Sequence, residues 1–289
     1  TELTDCATLP EARGKGLMTL LLRELERDTV ERWGFTDSYT YMVRLIETDW
    51  WSSRGWMPQY NAPDGMLLHW TYPFSALVTL LAVPFAPFMD WPDALLSAGV
   101  ISSFLCSLVV GVIAYYLALT INTKGWAMIA AILVMGSRPV MSYGSFGRPD
   151  HHMMGLALVG GFWLCLIAIE RYRTLYQDRE NFSLNNPTYG RFLSYHLLAG
   201  LLAGLALWTA PETQAGLVIA LAVQCWHRLV VMQDPMPQPA ISLTKTQILT
   251  AETSFAVTWM LLLLVAVLVD PPYEGLWAAA HDRVSIFHV

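Results

Sequence analysis

The chain has 289 residues, of which 55% are hydrophobic and 14% charged, against roughly 25% charged in ordinary soluble domains. The mean hydropathy of +0.42 and the long uncharged stretches point to a membrane protein. A net charge of −6, with no basic run, excludes a nucleic-acid partner.

The first 35 residues are unlike the rest. Thr1–Leu9 lacks the basic start and apolar core of a secretory signal and reads as a short strand. Pro10–Gly16 reads as a turn and Leu17–Trp33 as an amphipathic helix. That helix carries Arg23, Glu24, Glu26, Arg27, Asp28, Glu31 and Arg32, a charge density that hydrocarbon does not accept. The expected piece is therefore a soluble strand–loop–helix set directly before a membrane region. Its glycines sit where strand turns into helix, where backbone N–H groups and the helix dipole favour an anion such as a pyrophosphate. The run Leu9-Pro-Glu-Ala-Arg13-Gly14-Lys15-Gly16-Leu-Met18 resembles motif A of the GNAT acetyltransferases. That resemblance implies an acetyl-CoA loop at Arg13, Gly14 and Gly16. Met18 stands where the family carries a small residue, and the rest of a GNAT domain is absent, so the expectation is a fused or truncated fragment.

Residues 36–93 read as a first outer loop with an interfacial helix. They open with Thr36-Asp37-Ser-Tyr-Thr-Tyr-Met-Val-Arg44, an acid followed by aromatics and a cation. A carboxylate there can hold a divalent cation or polarise an acceptor, and the plainer account is an interfacial loop with an aromatic belt. Asp49, beside Trp50 and Trp51, is a second carboxylate for which a catalytic role and a solvated loop acid are equally open. The apolar segment Tyr72–Met89 carries Pro73, Pro84 and Pro87, so an interfacial or re-entrant path is expected rather than a span.

Residues 94–270 read as a transmembrane core of about six spans: Ala94–Ile121, Trp126–Tyr143, His152–Ile169, Phe192–Trp208, Ala215–Trp226 and Phe255–Val269. The fourth and fifth form a hairpin broken at Thr209-Ala-Pro-Glu212. Lys124, Arg171, Arg173, Arg179, Arg191, Arg228 and Lys245 fall in alternate loops, which the positive-inside rule makes cytoplasmic. Gly144–His151, Thr209–Gln214 and the tail from Asp270 then lie outside, so Asp37, Glu47, Asp49, Asp150, His151, His152 and Glu212 share one face. Residues 271–289, with His281-Asp-Arg-Val-Ser285, read as the start of a further outer region that is cut. Cys6, Cys106, Cys165 and Cys225 show no CxxC pair, and three lie in apolar runs, so they read as packing residues.

Gly147-Arg148-Pro149-Asp150-His151-His152, at the outer mouth of a span, is an unusual polar cluster beside lipid. Asp150 and His152 at i and i+2 can ligate one metal if the backbone is extended. Asp150 also suits a helix N-cap, but capping alone leaves both histidines unexplained.

Asp37-x-Tyr-x-Tyr-x-x-Arg44 in a first outer loop, followed by Asp150-x-His152 in a second, resembles the GT-C class of membrane glycosyltransferases. The branch it most resembles is the oligosaccharyltransferase catalytic subunits and their bacterial relatives. Leu68-His69-Trp70-Thr71 and Leu207-Trp-Thr-Ala-Pro-Glu212 are similar to segments of bacterial members. The resemblance covers residues 36–289. It implies an all-α multi-spanning protein of the bacterial inner membrane and a polyprenyl-phosphate-linked sugar donor, with an unidentified acceptor on the non-cytoplasmic side. It also implies a Mg²⁺ or Mn²⁺ ion on Asp37, Asp150 and His152, held within metal-bridging reach, with Asp37 as a catalytic acid; Asp49, the second catalytic candidate, has no firm family match. Arg148, His151 and Glu212 are then expected to bind substrate, Arg148 through a donor phosphate or else by pairing with Asp150. The family has a span before the first-loop acid and continues well past this length, so a partial or chimeric chain is expected. The alternatives are a membrane-tethered GNAT acetyltransferase, discriminated by acetyl-CoA binding, and a non-enzymatic transporter, which needs polar residues at mid-membrane.

Overall fold

A computed structural model of the protein describes residues 42, 45–46, 56–57, 66–67, 71–176, 187–231 and 245–271. Apart from a two-residue antiparallel pair, β1 (Trp56–Met57) and β2 (Met66–Leu67), the described elements are helical. They are α1 (Tyr72–Ala82), α2 (Trp91–Leu119), α3 (Lys124–Met135), α4 (Arg138–Tyr143), α5 (His151–Tyr176), α6 (Pro187–Thr209), α7 (Gln214–Val231) and α8 (Lys245–Val269), with a 3₁₀ turn at Pro211–Thr213 between α6 and α7.

Proline and polar caps set these boundaries. Pro73 sits in the first turn of α1, where its missing N–H costs nothing, and α1 ends before Pro84. Asp90 caps α2 by accepting from the Asp93 amide at 3.2 Å. Four helices among the described residues are long and apolar enough to cross a membrane: Trp91–Leu119, His151–Arg173, Tyr189–Thr209 and Thr246–Val269. This is a membrane protein by that count and by its outward faces, where Ile132, Leu133, Leu261, Leu264 and Leu268 are exposed as lipid-facing side chains would be.

The six-span expectation is corrected at one place in particular. Trp126–Tyr143 is not one helix: α3 stops at Gly136, and α4 starts afresh with Pro139 in its first turn. Pro139 has no amide to donate to the carbonyl four residues back, so the ladder cannot pass it. The Ala215–Trp226 run is the 18-residue α7, with Arg228 in its last turn. Within the Tyr72–Met89 segment, α1 has 11 residues, about 16 Å of rise, and is too short to cross.

Three apolar clusters join the helices. Phe162, Ile169, Phe192, Leu217 and Leu263 are buried between α5, α6, α7 and α8. Gly200 allows α6 and α8 to approach closely, since a Cβ there would lie 2.6 Å from the Phe255 carbonyl oxygen. Met42 and Leu45 pack with Phe74 and Val78 of α1 and with Ala94, Leu95 and Ala98 of α2. Cys106, Val110, Val140 and Met153 tie α4 to α2 and α5. Cys106 and Cys165 are buried packing residues as read from the sequence, whereas Cys225 is exposed.

The loops sort to the two ends that the charge pattern assigns. Arg171 donates to the Thr120 carbonyl, Arg173 and Arg228 both pair with Glu252, and Arg228 also pairs with Glu170. At the other end of the same helices, His151 approaches Glu212, Thr71 donates to the Thr209 carbonyl, and the Tyr72 amide donates to Asp270. His152 and Glu170 stand 18 residues apart on α5, about 27 Å of helix rise, so the two polar groups mark opposite ends of a membrane-scale bundle.

Candidate functional site

The site forms at the start of α5. The α4–α5 connection is fastened to α2 at two levels. The Gly147 amide donates to the Val100 carbonyl at 2.9 Å, and Gly147 adopts φ +80°, a left-handed conformation that other residues enter only with strain. One turn further along α2, the buried Ser103 hydroxyl accepts from the Asp150 amide at 2.8 Å and donates to the Asp150 carbonyl at 3.1 Å. A serine inside an apolar helix thus clamps the backbone of the acidic residue from both sides.

Asp150, itself buried, caps α5 by accepting from the His152 amide at 3.1 Å. The same oxygen meets His152 Nδ1 at 2.5 Å and lies 3.5 Å from His151 Nδ1, while the other oxygen lies 3.6 Å from Arg148. The i, i+2 pair therefore closes across a helix cap and not along the extended backbone expected from the spacing. Arg148 is committed locally: it donates to the Ser142 carbonyl and hydroxyl, both at 2.9 Å, and lies 4.2 Å over the Tyr143 ring. Tyr143 in turn stacks on His152. Of the two roles open to Arg148 in the sequence, pairing with Asp150 is the one the structure displays.

Glu212 arrives from the 3₁₀ turn. Its carboxylate lies 3.6 Å from His151 Nε2 and 3.9 Å from His152 Nε2. The His151 imidazole beside it outweighs partial burial, which acts the other way, and sets the Glu212 carboxyl below its ordinary value. At Asp150, burial raises the carboxyl, and the hydrogen bond and positive charge of His152, together with His151, outweigh it, so this acid is also held ionised. Two carboxylates and two imidazoles thus face each other at one rim. The ligating atoms of Asp150, His151 and His152 lie within 4.8 Å of one another, a group able to hold a metal ion.

Asp150, His151, His152, Arg148 and Glu212 are brought together as the sequence implied. Asp37, Asp49, Arg13, Gly14 and Gly16 lie outside the described residues, as do the expected approach of Asp37 to Asp150 and the soluble N-terminal strand–loop–helix. Ser103, Ser142, Tyr143 and Asp270 complete the surroundings without having been singled out. Ser103 is one of four serines in α2, with Ser97, Ser102 and Ser107, and nothing in the sequence separates it from the others.

Two solved structures resemble this chain. The archaeal oligosaccharyltransferase AglB from Archaeoglobus fulgidus, in complex with an inhibitory peptide and a dolichol-phosphate, superimposes with a TM-score of 0.61 at 16% identity, over 87% of this chain and 27% of that one. The likeness is one of fold, over the matched part of that oligosaccharyltransferase. An apo-form oligosaccharyltransferase of the same organism gives 0.61 at 17% identity, over 96% of this chain and 32% of its own. The chain therefore spans about a third or less of the length of the oligosaccharyltransferases it resembles. No protein-family model and no curated protein matches it. The GT-C expectation drawn from Asp37-x-Tyr and Asp150-x-His152 agrees with this fold, whose polar cluster sits at the end of a crossing helix.

Replacing Ser103 by alanine removes both hydroxyl contacts to the Asp150 backbone while leaving every titratable group in place. We expect a loss of about 1–2 kcal/mol in thermal or denaturant stability, in the range for a buried hydrogen-bonded hydroxyl, together with weaker divalent-metal binding. Calorimetry of wild type and variant, with and without Mn²⁺, checks both.

Proposed function

We propose that this chain carries the membrane site of a metal-assisted, inverting glycosyltransferase. It moves a sugar from a polyprenyl-phosphate-linked donor to an acceptor on the non-cytoplasmic side. One observation carries the reading: within an oligosaccharyltransferase fold, Asp150, His151, His152 and Glu212 converge at a single end of the bundle. The solved oligosaccharyltransferase of similar fold is itself in complex with an inhibitory peptide and a dolichol-phosphate, which supports a lipid-linked donor here.

The donor set suits the proposed ion. Oxygen with imidazole suits Mn²⁺ or Mg²⁺, and such an ion needs more ligands than Asp150 and His152 supply. Asp37 is proposed as another. Met42, five residues after it, packs against α1 and the outer turns of α2, whose Ser103 holds Asp150. When bound, the ion neutralises negative charge building on the departing phosphate.

The chain's own groups do the remainder. His151, held between Asp150 and Glu212, is poised to donate to a donor phosphate oxygen. Asp37 or Asp49 orients or deprotonates the acceptor hydroxyl or amide on the opposite face of the sugar. Arg148 fixes Asp150 and, through Tyr143, the ring plane of His152.

The test uses the purified full chain in lipid with a polyprenyl-pyrophosphate-linked saccharide, following cleavage of the donor. EDTA should abolish cleavage and Mn²⁺ or Mg²⁺ should restore it. Cleavage that continues unchanged in EDTA removes the metal from the proposal, and absence of cleavage at saturating Mn²⁺ and donor removes the reaction.

A further inference from the structure

The structure assigns a positioning role to Asp270, outside the cluster described above. Asp270 follows α8 and is 3% exposed. Its Oδ2 atom accepts from the Tyr72 amide at 3.1 Å and from Trp208 Nε1 at 3.4 Å. Tyr72 opens α1, so its amide has no acceptor within the helix, and the neighbouring Thr71 makes no side-chain cap. A carboxylate from 198 residues along the chain supplies that cap and stabilises the positive end of the helix dipole. Thr71 turns the other way, donating its hydroxyl to the Thr209 carbonyl at 2.8 Å.

The outcome is a strap of three chain segments fastened at one oxygen. Trp208 and Thr209, both held by it, lead directly into the turn Ala210–Thr213 that carries Glu212. From the other side, Ala210 and Thr213 pack over Gly155 in the second turn of α5, where a Cβ would lie 3.2 Å from the Thr213 methyl. The turn is thus wedged between α5 and the Asp270 strap. Glu212 itself is more than half exposed and has little packing of its own to hold it against His151. We infer that Asp270 fixes the Glu212 turn so that the Glu212 carboxylate holds His151 toward the phosphate of a lipid-linked donor, while Asp150 and His152 keep their own 2.5 Å contact.

This inference rests on the proposed glycosyl-transfer reading, and its test separates the two. Asp270→Ala and Asp270→Asn are made in the full chain. Both strap bonds use a single oxygen, which asparagine retains and alanine lacks. Hydrogen exchange should show the Tyr72 amide and the 209–214 segment exchanging about tenfold faster in Asp270→Ala, the scale of one lost hydrogen bond, with Asp270→Asn close to wild type. In donor cleavage, Asp270→Ala should raise KM for the polyprenyl-pyrophosphate-linked saccharide about fivefold to tenfold, with the Mn²⁺ concentration for half-maximal rate unchanged. Asp270→Asn should restore KM. Unchanged exchange in Asp270→Ala, an unchanged KM, a shifted Mn²⁺ requirement, or failure of asparagine to rescue would each overturn the role. If wild type cleaves no donor, the glycosyl-transfer reading fails by itself, and faster exchange in the 209–214 segment of Asp270→Ala still decides whether the strap exists.

Discussion

Asp150→Ala should lower Mn²⁺-supported donor cleavage about a thousandfold, the scale of losing metal stabilisation of a developing phosphate charge. The substitution also removes the N-cap of α5, so a bare loss of activity has two explanations. Asp150→Asn separates them. Asparagine is as good a helix cap as aspartate, so the His152 amide keeps its acceptor and α5 keeps its start. What asparagine lacks is the charge that sits 2.5 Å from His152 and 3.6 Å from Arg148. Thermal melting should therefore show Asp150→Asn nearer to wild type than Asp150→Ala, while both lose Mn²⁺ binding by calorimetry and both lose cleavage. Retention of Mn²⁺-dependent cleavage in the asparagine variant would reduce Asp150 to a capping residue and leave the site without its anionic ligand.

The parts of this site that were legible in the sequence are those fixed by short-range spacing and by the bilayer. Asp150 and His152 share a helix start, so their proximity follows from local geometry, even though a cap and not an extended segment brings it about. Glu212 lies sixty residues further on, and the alternation of Lys and Arg between loops was enough to put it on the same face as His151. The same alternation placed Arg171, Arg173 and Arg228 together, and they meet at the opposite end of the bundle. Hydropathy failed at Trp126–Tyr143, because an apolar run reports on lipid compatibility and carries no information on backbone continuity across Gly136 and Pro139. Ser103 and Asp270 were out of reach for a different reason. Apart from Trp208 Nε1, their partners are backbone amides and a carbonyl of distant segments, and a backbone group has no sequence signature. No residue pattern announces that Tyr72 needs an acceptor 198 positions away.

The second large effect belongs to the other end of the bundle, where Arg228 of α7 is the hub. It pairs with Glu170 of α5 at 2.8 Å and with Glu252 of α8 at 3.2 Å, while Gln224, one turn earlier, donates to Glu170 at 2.7 Å. Much of α7 is exposed, with Val218, Val223, Trp226 and Leu229 facing outward, so these polar bonds and the Trp163 contact to Gly216 tether a helix that apolar packing secures only in part. Arg228→Leu takes the guanidinium from Glu170, whereas Glu252 keeps Arg173 at 2.5 Å. Glu170 keeps its Gln224 hydrogen bond but loses this guanidinium near lipid, and the expected loss is about 2–4 kcal/mol, read as a lowered Tm. The paired variant Arg228→Leu with Glu170→Leu removes both charges and leaves the Arg173–Glu252 pair balanced, so it should recover most of that loss. A double variant as unstable as the sum of its singles would show instead that Arg228 acts through packing of its aliphatic stem. Recovery would show that the loss in Arg228→Leu comes from an unbalanced charge, and that α5, α7 and α8 are coupled at this end by charge balance.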